Sequence, residues 1–245
     1  MTDESGTIAL VTGAAHGIGL EVCRQLAARG WTVVLTARTL ERAREAAEWL
    51  AGEGLEGKVH ARALDVADDA SPRALAADLG WALGRIDVLV NNAGQAADWS
   101  ETAGTADLRE AHAVMEANLF GAWRTTQALL PLLRRSRRGR IVNVSSGAGS
   151  HVDPRFGLAA VAAATSYAVS KAALNALTVK LALELREDGI LVNAVCPGLT
   201  ATTQDLEEVG ARPVEEGAAS VVWAATLPSN GPTGGFFRDG RTLGW

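Results

Sequence analysis

The chain has 245 residues, 48% of them hydrophobic and 21% charged, and a formal net charge of -5. That length buries a sizeable core, and no Pro/Ser-rich linker or compositional break divides it, so a single domain over 1–245 is expected. The acidic balance gives no general reason to bind nucleic acid or an anionic membrane, and no apolar run approaches the roughly 18 residues that a bilayer span needs.

The first residues, MTDESG, are acidic and run straight into a strand, so no signal peptide is expected and the protein is placed in the cytoplasm. Strands are then predicted at TIALVTG (7–13), TVVLTA (32–37), KVHARALDV (58–66), DVLVNNAG (87–94), RIVNVSS (140–146) and ILVNAVCPG (190–198), with a short last one near GGFF (234–237). Helical spacing fills the gaps at roughly 17–29, 39–52, 71–83, 104–135, 166–187 and 213–226. Strands that are apolar on both faces belong in a parallel sheet covered on each side. The β-α-β-α order therefore predicts an α/β fold, a doubly wound (Rossmann) parallel sheet of about seven strands with helices on both faces. The basic run RRSRRGR (134–140) follows a long helix and is read as a solvated C-terminal cap rather than a polyanion site. Cys23 and Cys196 are too few for a disulfide framework and lack metal-ligand spacing; both are read as small core residues, and no metal is expected.

The first strand-to-helix turn, TGAAHGIG, carries Gly13, Gly17 and Gly19, with Ile18 between the last two. Glycines there permit a tight turn and the approach of a pyrophosphate to a helix N-terminus. An NAD site places an acidic residue about 20 positions beyond, on the ribose 2′-hydroxyl. Here Arg38 and Thr39 follow the second strand instead, and a guanidinium suits a 2′-phosphate, so NADP(H) is the expected cofactor. His16 in the turn is a further candidate donor to that phosphate. The plainer alternatives are a surface arginine and an exposed loop histidine.

Tyr167 is the only tyrosine, and Lys171, one of three lysines against twenty arginines, follows it by four positions, about one helical turn. Such a pair is ordinarily a solvated helix face. Here it is accompanied in order by Thr12-Gly13-x-x-x-Gly17-x-Gly19, Asp65, Asn91-Asn92-Ala93-Gly94, Asn118, Ser146 and Pro197-Gly198. From Thr7 to about Phe237 the chain resembles the short-chain dehydrogenase/reductase family, and within it the NADPH-dependent carbonyl reductases.

The resemblance implies that Tyr167 is the general acid toward a carbonyl oxygen, and that Lys171 assists it while holding the nicotinamide ribose. A nearby ammonium is expected to lower the phenol's pKa from its ordinary value near 10. Ser146 is the expected partner hydroxyl. Ser145 is the alternative, and strand alternation sends only one of the two into the site. The resemblance also implies a water relay at Asn118, adenine contacts at Asp65 and Val66, and cofactor contacts at Asn91, Ala93 and Gly94 and at Pro197, Gly198, Thr200 and Thr202. For Asn91 a tie between neighbouring strands stays open.

Serine and tyrosine lie 21 positions apart, longer than is common in the family, and the excess includes SHVDPRFGLAAVAAA (150–164). The segments near 147–165 and 199–212 are expected to shape the substrate site, with His151, Phe156, Leu158, Trp99 and Trp245 as candidate walls. By analogy with the monomeric carbonyl reductases a monomer is expected, with a dimer or tetramer open. The expected partner is a small-molecule carbonyl or alcohol: reduction of a ketone or aldehyde, or NADP+-dependent oxidation of a secondary alcohol. A non-catalytic NADP(H)-binding sensor is the rival, and it has no need for serine, tyrosine and lysine together.

Overall fold

A computed structural model describes residues 6–245; the leader-free N-terminus expected above lies, over 1–5, outside the described residues. The six long strands are β1 (Ile8–Val11), β2 (Thr32–Ala37), β3 (Lys58–Ala63), β4 (Val88–Asn91), β5 (Arg140–Val144) and β6 (Leu191–Val195). With β7 (Phe236–Arg238) and β8 (Arg241–Thr242) they form one sheet in the order β3-β2-β1-β4-β5-β6-β7-β8. All pairings are parallel except β7 with β8, a short antiparallel hairpin that the sequence reading did not separate.

Alternate residues of each central strand enter opposite cores. Val11, Leu35, Val90 and Val144 face α1 (Gly17–Ala27), α2 (Leu40–Ala51) and α8 (Val214–Ala225). Leu10, Val34, Leu89 and Ile141 face α3 (Ala70–Ala82), α5 (Gly121–Leu133) and α6 (Thr165–Glu184). Burial on both sides explains why these strands read as continuous apolar runs instead of alternating ones. The strand order reverses between β1 and β4, which opens a crevice at their carboxyl ends.

Three expectations are corrected. The helix predicted over 104–135 is α4 (Leu108–Met115), a π-helical turn (Glu116–Phe120) and α5, because the turn around Asn118 admits an extra residue. A short helix, α7 (Gln204–Glu208), lies in the segment predicted as loop. The basic run is not all solvated: Arg140 is 2% exposed, and its guanidinium donates to Leu227 O at 3.0 and 2.8 Å, just beyond the carbonyl end of α8. Burial lowers its pKa to about 10, with Arg138 adding to the effect. Outside the core, Arg134 donates to Asp188 at 2.9 Å.

Candidate active site

The glycine turn is held by its opposite strand end. Asn92 Nδ2 donates to the carbonyls of Thr12 and Gly13 at 2.9 and 3.0 Å, while Thr12 Oγ1 accepts from the amides of Asn92 and Ala93, both at 2.9 Å. That staple leaves no room for side chains. A Cβ on Gly19 would lie 2.4 Å from Asn92 Nδ2, and one on Gly13, whose φ is +61°, would lie 2.8 Å from Ala93 Cα. His16 is the N-cap residue of α1 but makes no side-chain cap bond, so the helix's first amides are left for another acceptor.

A cleft of about 650 Å³ opens over this turn. Of the residues named from sequence, Gly13, His16, Gly17, Ile18, Gly19, Arg38, Asp65, Val66, Ala93, Gly94 and Thr202 line it. Asn92, quoted in the motif but given no role, lies on the same walls, and sequence reasoning missed Gln95 and Arg42 there. Arg42 was legible as the residue one helical turn beyond Arg38, and neither guanidinium has a carboxylate partner among the described residues.

Five named positions do other work. Asn91 is 3% exposed and donates to Asn143 Oδ1 at 2.8 Å and Thr126 Oγ1 at 3.1 Å, so it ties β4 to β5 beneath the cleft. Thr39 caps α2, its hydroxyl accepting from the Arg42 amide at 3.4 Å. Thr200 is buried and donates to Pro197 O at 3.0 Å. Arg212 Nε also donates to that carbonyl, at 2.7 Å, and its guanidinium packs over Gly198. These bonds draw Pro197, Gly198 and Thr200 into the loop's own frame, and of this segment only Thr202 reaches the cleft wall.

Beyond Gly94 the cleft meets a cluster from β5 and α6. Alternation separates the two serines as expected: Ser145 Oγ is turned into α6, donating to Asn175 Oδ1 at 2.6 Å, while Ser146 lies close enough to the Tyr167 phenol to lower its pKa. Lys171 Nζ lies 5.6 Å from the Tyr167 ring centroid and donates to Val144 O at 2.9 Å. It would stand 3.7 Å from a Cβ on Gly94, which puts the ammonium at the cleft's edge. The Asn118 side chain is engaged by its neighbours. Its amide brackets Gln95, accepting from the amide at 2.7 Å and donating to the carbonyl at 3.0 Å, and it donates to Ser170 Oγ at 2.9 Å.

The electrostatics differ in sign from the sequence expectation. Burial pushes the Tyr167 pKa up to about 12, opposed by the nearby Ser146 hydroxyl and reinforced by Cys196. Burial also brings Lys171 down to about 8, opposed by Cys196. The lysine was expected to acidify the phenol, but the largest cause of both shifts is loss of water around the two groups.

The inserted segment is built around Asp153, which is 3% exposed and accepts from the amides of Arg155 and Phe156 and from Arg238 at 2.7 Å. Arg238 also donates to Cys196 Sγ at 3.1 and 3.3 Å. Cys196 is a core residue, as expected, that in addition accepts these hydrogen bonds, unlike Cys23. Among the candidate walls, Trp99 alone is recorded against the tyrosine, with ring centroids 5.6 Å apart. Trp245 stacks instead on Phe236, Arg155 lies over Phe156, Leu158 is half-buried in the insertion, and His151 is exposed.

A glycine-turned, doubly wound sheet with a cleft at its switch point defines a Rossmann-type α/β protein. The sequence model of the family described as short chain dehydrogenase matches residues 7–212. The chain belongs to that family of oxidoreductases. It is 35% identical to (+)-neomenthol dehydrogenase of Arabidopsis thaliana, over 97% of each chain. In structure it is similar to the NADPH-bound carbonyl reductase from chicken fatty liver, with a TM-score of 0.83 and 29% identity, covering 98% of this chain and 100% of that one. It is also similar to a 3-oxoacyl-[acyl-carrier protein] reductase with bound NAD from Brucella melitensis, with a TM-score of 0.83 and 31% identity, covering 96% and 90%. No helix among the described residues is long and apolar enough to cross a membrane.

Proposed function

We propose that the protein reduces the carbonyl group of a ketone or aldehyde with NADPH. The observation that carries this reading is a half-buried tyrosine whose phenol lies by a serine hydroxyl and beside a lysine ammonium at the edge of the glycine-rich cleft.

The cleft residues fit a phosphorylated dinucleotide. The glycine turn has no space for Cβ atoms at Gly13 and Gly19, and the uncapped amides of α1 suit a pyrophosphate. Arg38 and Arg42 suit a 2′-phosphate. NADPH, when held there, would supply the hydride for the carbonyl carbon. The protein's own part is to hold the carbonyl oxygen between Ser146 and Tyr167 and to protonate it from the phenol. Because burial keeps that phenol protonated throughout the neutral range, the proton is present when the oxygen becomes basic. The Lys171 cation then stabilises the phenolate left behind. Asn118 holds Gln95, and with it the cleft wall beside Lys171. Alcohol oxidation uses the same groups in reverse.

A panel of ketones and aldehydes, assayed by loss of NADPH absorbance, tests the reading; no turnover with any of them would overturn it. Cofactor choice tests the arginines separately. Replacing Arg38 with Asp is expected to weaken NADPH by about 10- to 100-fold and to favour NADH, as expected for loss of a charged hydrogen bond of about 1.5–3 kcal/mol. Arg42→Ala is expected to weaken NADPH in the same direction without improving NADH, and an unchanged ratio of the two cofactors in both variants would contradict the phosphate assignment.

The pH dependence follows from Lys171. As its ammonium loses a proton, kcat/KM for reduction is expected to decline as pH rises through about 8. Unfolding does not cause that decline. With a folded pKa of about 8 against an ordinary 10.5, the unfolded chain binds more protons between those values, so this residue's contribution to stability rises across the window. A flat kcat/KM from about pH 7 to about 10, below the ordinary lysine value, would remove Lys171 from this role.

A further inference from the structure

Tyr167 sits in the first turn of a 20-residue helix whose own start is poorly capped. The N-cap position of α6 is Ala164, in the left-handed region with φ +52°, and it has no side chain able to accept an amide. The first turn also contains no acidic residue. Amides at a helix start need an acceptor, and without one the first turn frays.

The acceptor arrives from 65 residues away. Glu101, in the loop between β4 and α4, is 7% exposed, and its Oε1 accepts from the Ser166 amide at 2.7 Å and from the Ser166 hydroxyl. A carboxylate so buried is unfavourable unless hydrogen-bonded, and the positive end of α6 is an environment that favours it. Its loop is braced locally: Asp98 Oδ1 accepts from the amide and hydroxyl of Ser100 at 2.8 and 2.7 Å, and the Thr102 amide donates to Thr105 Oγ1 at 2.9 Å. Two residues before Glu101, the Trp99 indole lies against the Tyr167 ring. The residue after Glu101's partner is Tyr167 itself.

We infer that Glu101 is a positioning residue, which clamps the first turn of α6 and so fixes the Tyr167 phenol and the Trp99 ring relative to Ser146. Lys171 lies one turn further along and is anchored independently on Val144 O. The glycine turn is held by other contacts, the Asn92 and Thr12 bonds, and Arg38 stands on a different element. Loss of the clamp therefore loosens the proton donor without disturbing the cofactor cleft. This inference rests on the reductase reading for its kinetic consequence but not for its structural one.

The test compares Glu101→Gln, which retains an Oε1 acceptor, with Glu101→Met, which fills the space without one. The methionine variant is expected to lose about 10- to 100-fold in kcat, as misplacement of a reacting group by about 1 Å does, with the NADPH dissociation constant unchanged. Glutamine is expected to restore kcat to within about threefold of the parent, because it keeps the cap. A second readout needs no turnover. Tyr167 is the only tyrosine in the chain, so isotope-labelled tyrosine gives NMR signals from this ring alone. Those signals, displaced in the parent by the ring current of Trp99, are expected to move toward free tyrosine in the methionine variant and back in the glutamine variant.

Parental kcat and unshifted ring signals in Glu101→Met would overturn the clamp, as would a glutamine variant as impaired as the methionine one. Should Glu101→Met fail to fold, Ser166→Ala removes one of the two bonds. It is expected to lower kcat about threefold and move the ring signals; no change in either would count against the clamp. If the parent turns over no carbonyl, the reductase reading fails and the ring signals alone decide the clamp.

Discussion

Replacing Tyr167 with phenylalanine is expected to lower kcat for carbonyl reduction by about 1000-fold, within the range that a positioned general acid contributes. The substitution removes a hydroxyl and leaves the ring between Lys171 and Trp99. Ser146 keeps its bond from the Ala148 amide at 3.2 Å, so the end of β5 retains its shape. NADPH affinity, which the glycine turn and the two arginines would set at the other end of the cleft, is expected to stay within about twofold. The measurement is a pair: steady-state kcat, and NADPH binding followed by fluorescence. Loss of both together would point to a folding defect, and a kcat within tenfold of the parent would remove the phenol from its role as acid.

The second large effect is expected at Gly13→Ala. The residue's φ of +61° costs any L-side chain about 1–2 kcal/mol, and the new Cβ would stand 2.8 Å from the Ala93 backbone, where overpacking adds about 1–3 kcal/mol. Relief would require β1 and β4 to part at the switch point. The Asn92 and Thr12 bonds that staple them would then be lost as well. The expected outcome is a fall in Tm on the order of 10 °C together with loss of measurable NADPH binding. A variant with the parental Tm and affinity would show that the turn is more compliant than this geometry allows.

The Tyr167 result and the Glu101 result bear on each other. Phenylalanine deletes the acid at a fixed place, whereas methionine at 101 is expected to displace an intact acid. Both slow the same step, but only the second is expected to move the aromatic ring relative to Trp99.

Much of the molecule was legible before its coordinates. Apolar runs marked β1, β2, β4, β5 and β6 because a strand buried on both faces leaves an unbroken hydrophobic trace, whereas β3, at the sheet edge and partly exposed, does not, and the glycines of TGAAHGIG marked the turn because no other residue suits its backbone. The choice of Ser146 over Ser145 followed from the alternation of a strand. Arg38 drew attention by standing where an acidic residue would otherwise be expected.

What the linear chain determined by itself was the order of strands and helices and the set of chemically able residues, since both depend on local periodicity and residue type. Tertiary structure alone decided how those residues are used. Only there does Asn91 become a strand tie, Asn118 a clamp on Gln95 and Glu101 the cap of a helix 65 positions away. Only there, too, does burial reverse the expected shift of the Tyr167 phenol. Hydrogen-bond partners and the extent of desolvation are set by groups distant in sequence, and no local pattern of residues encodes them.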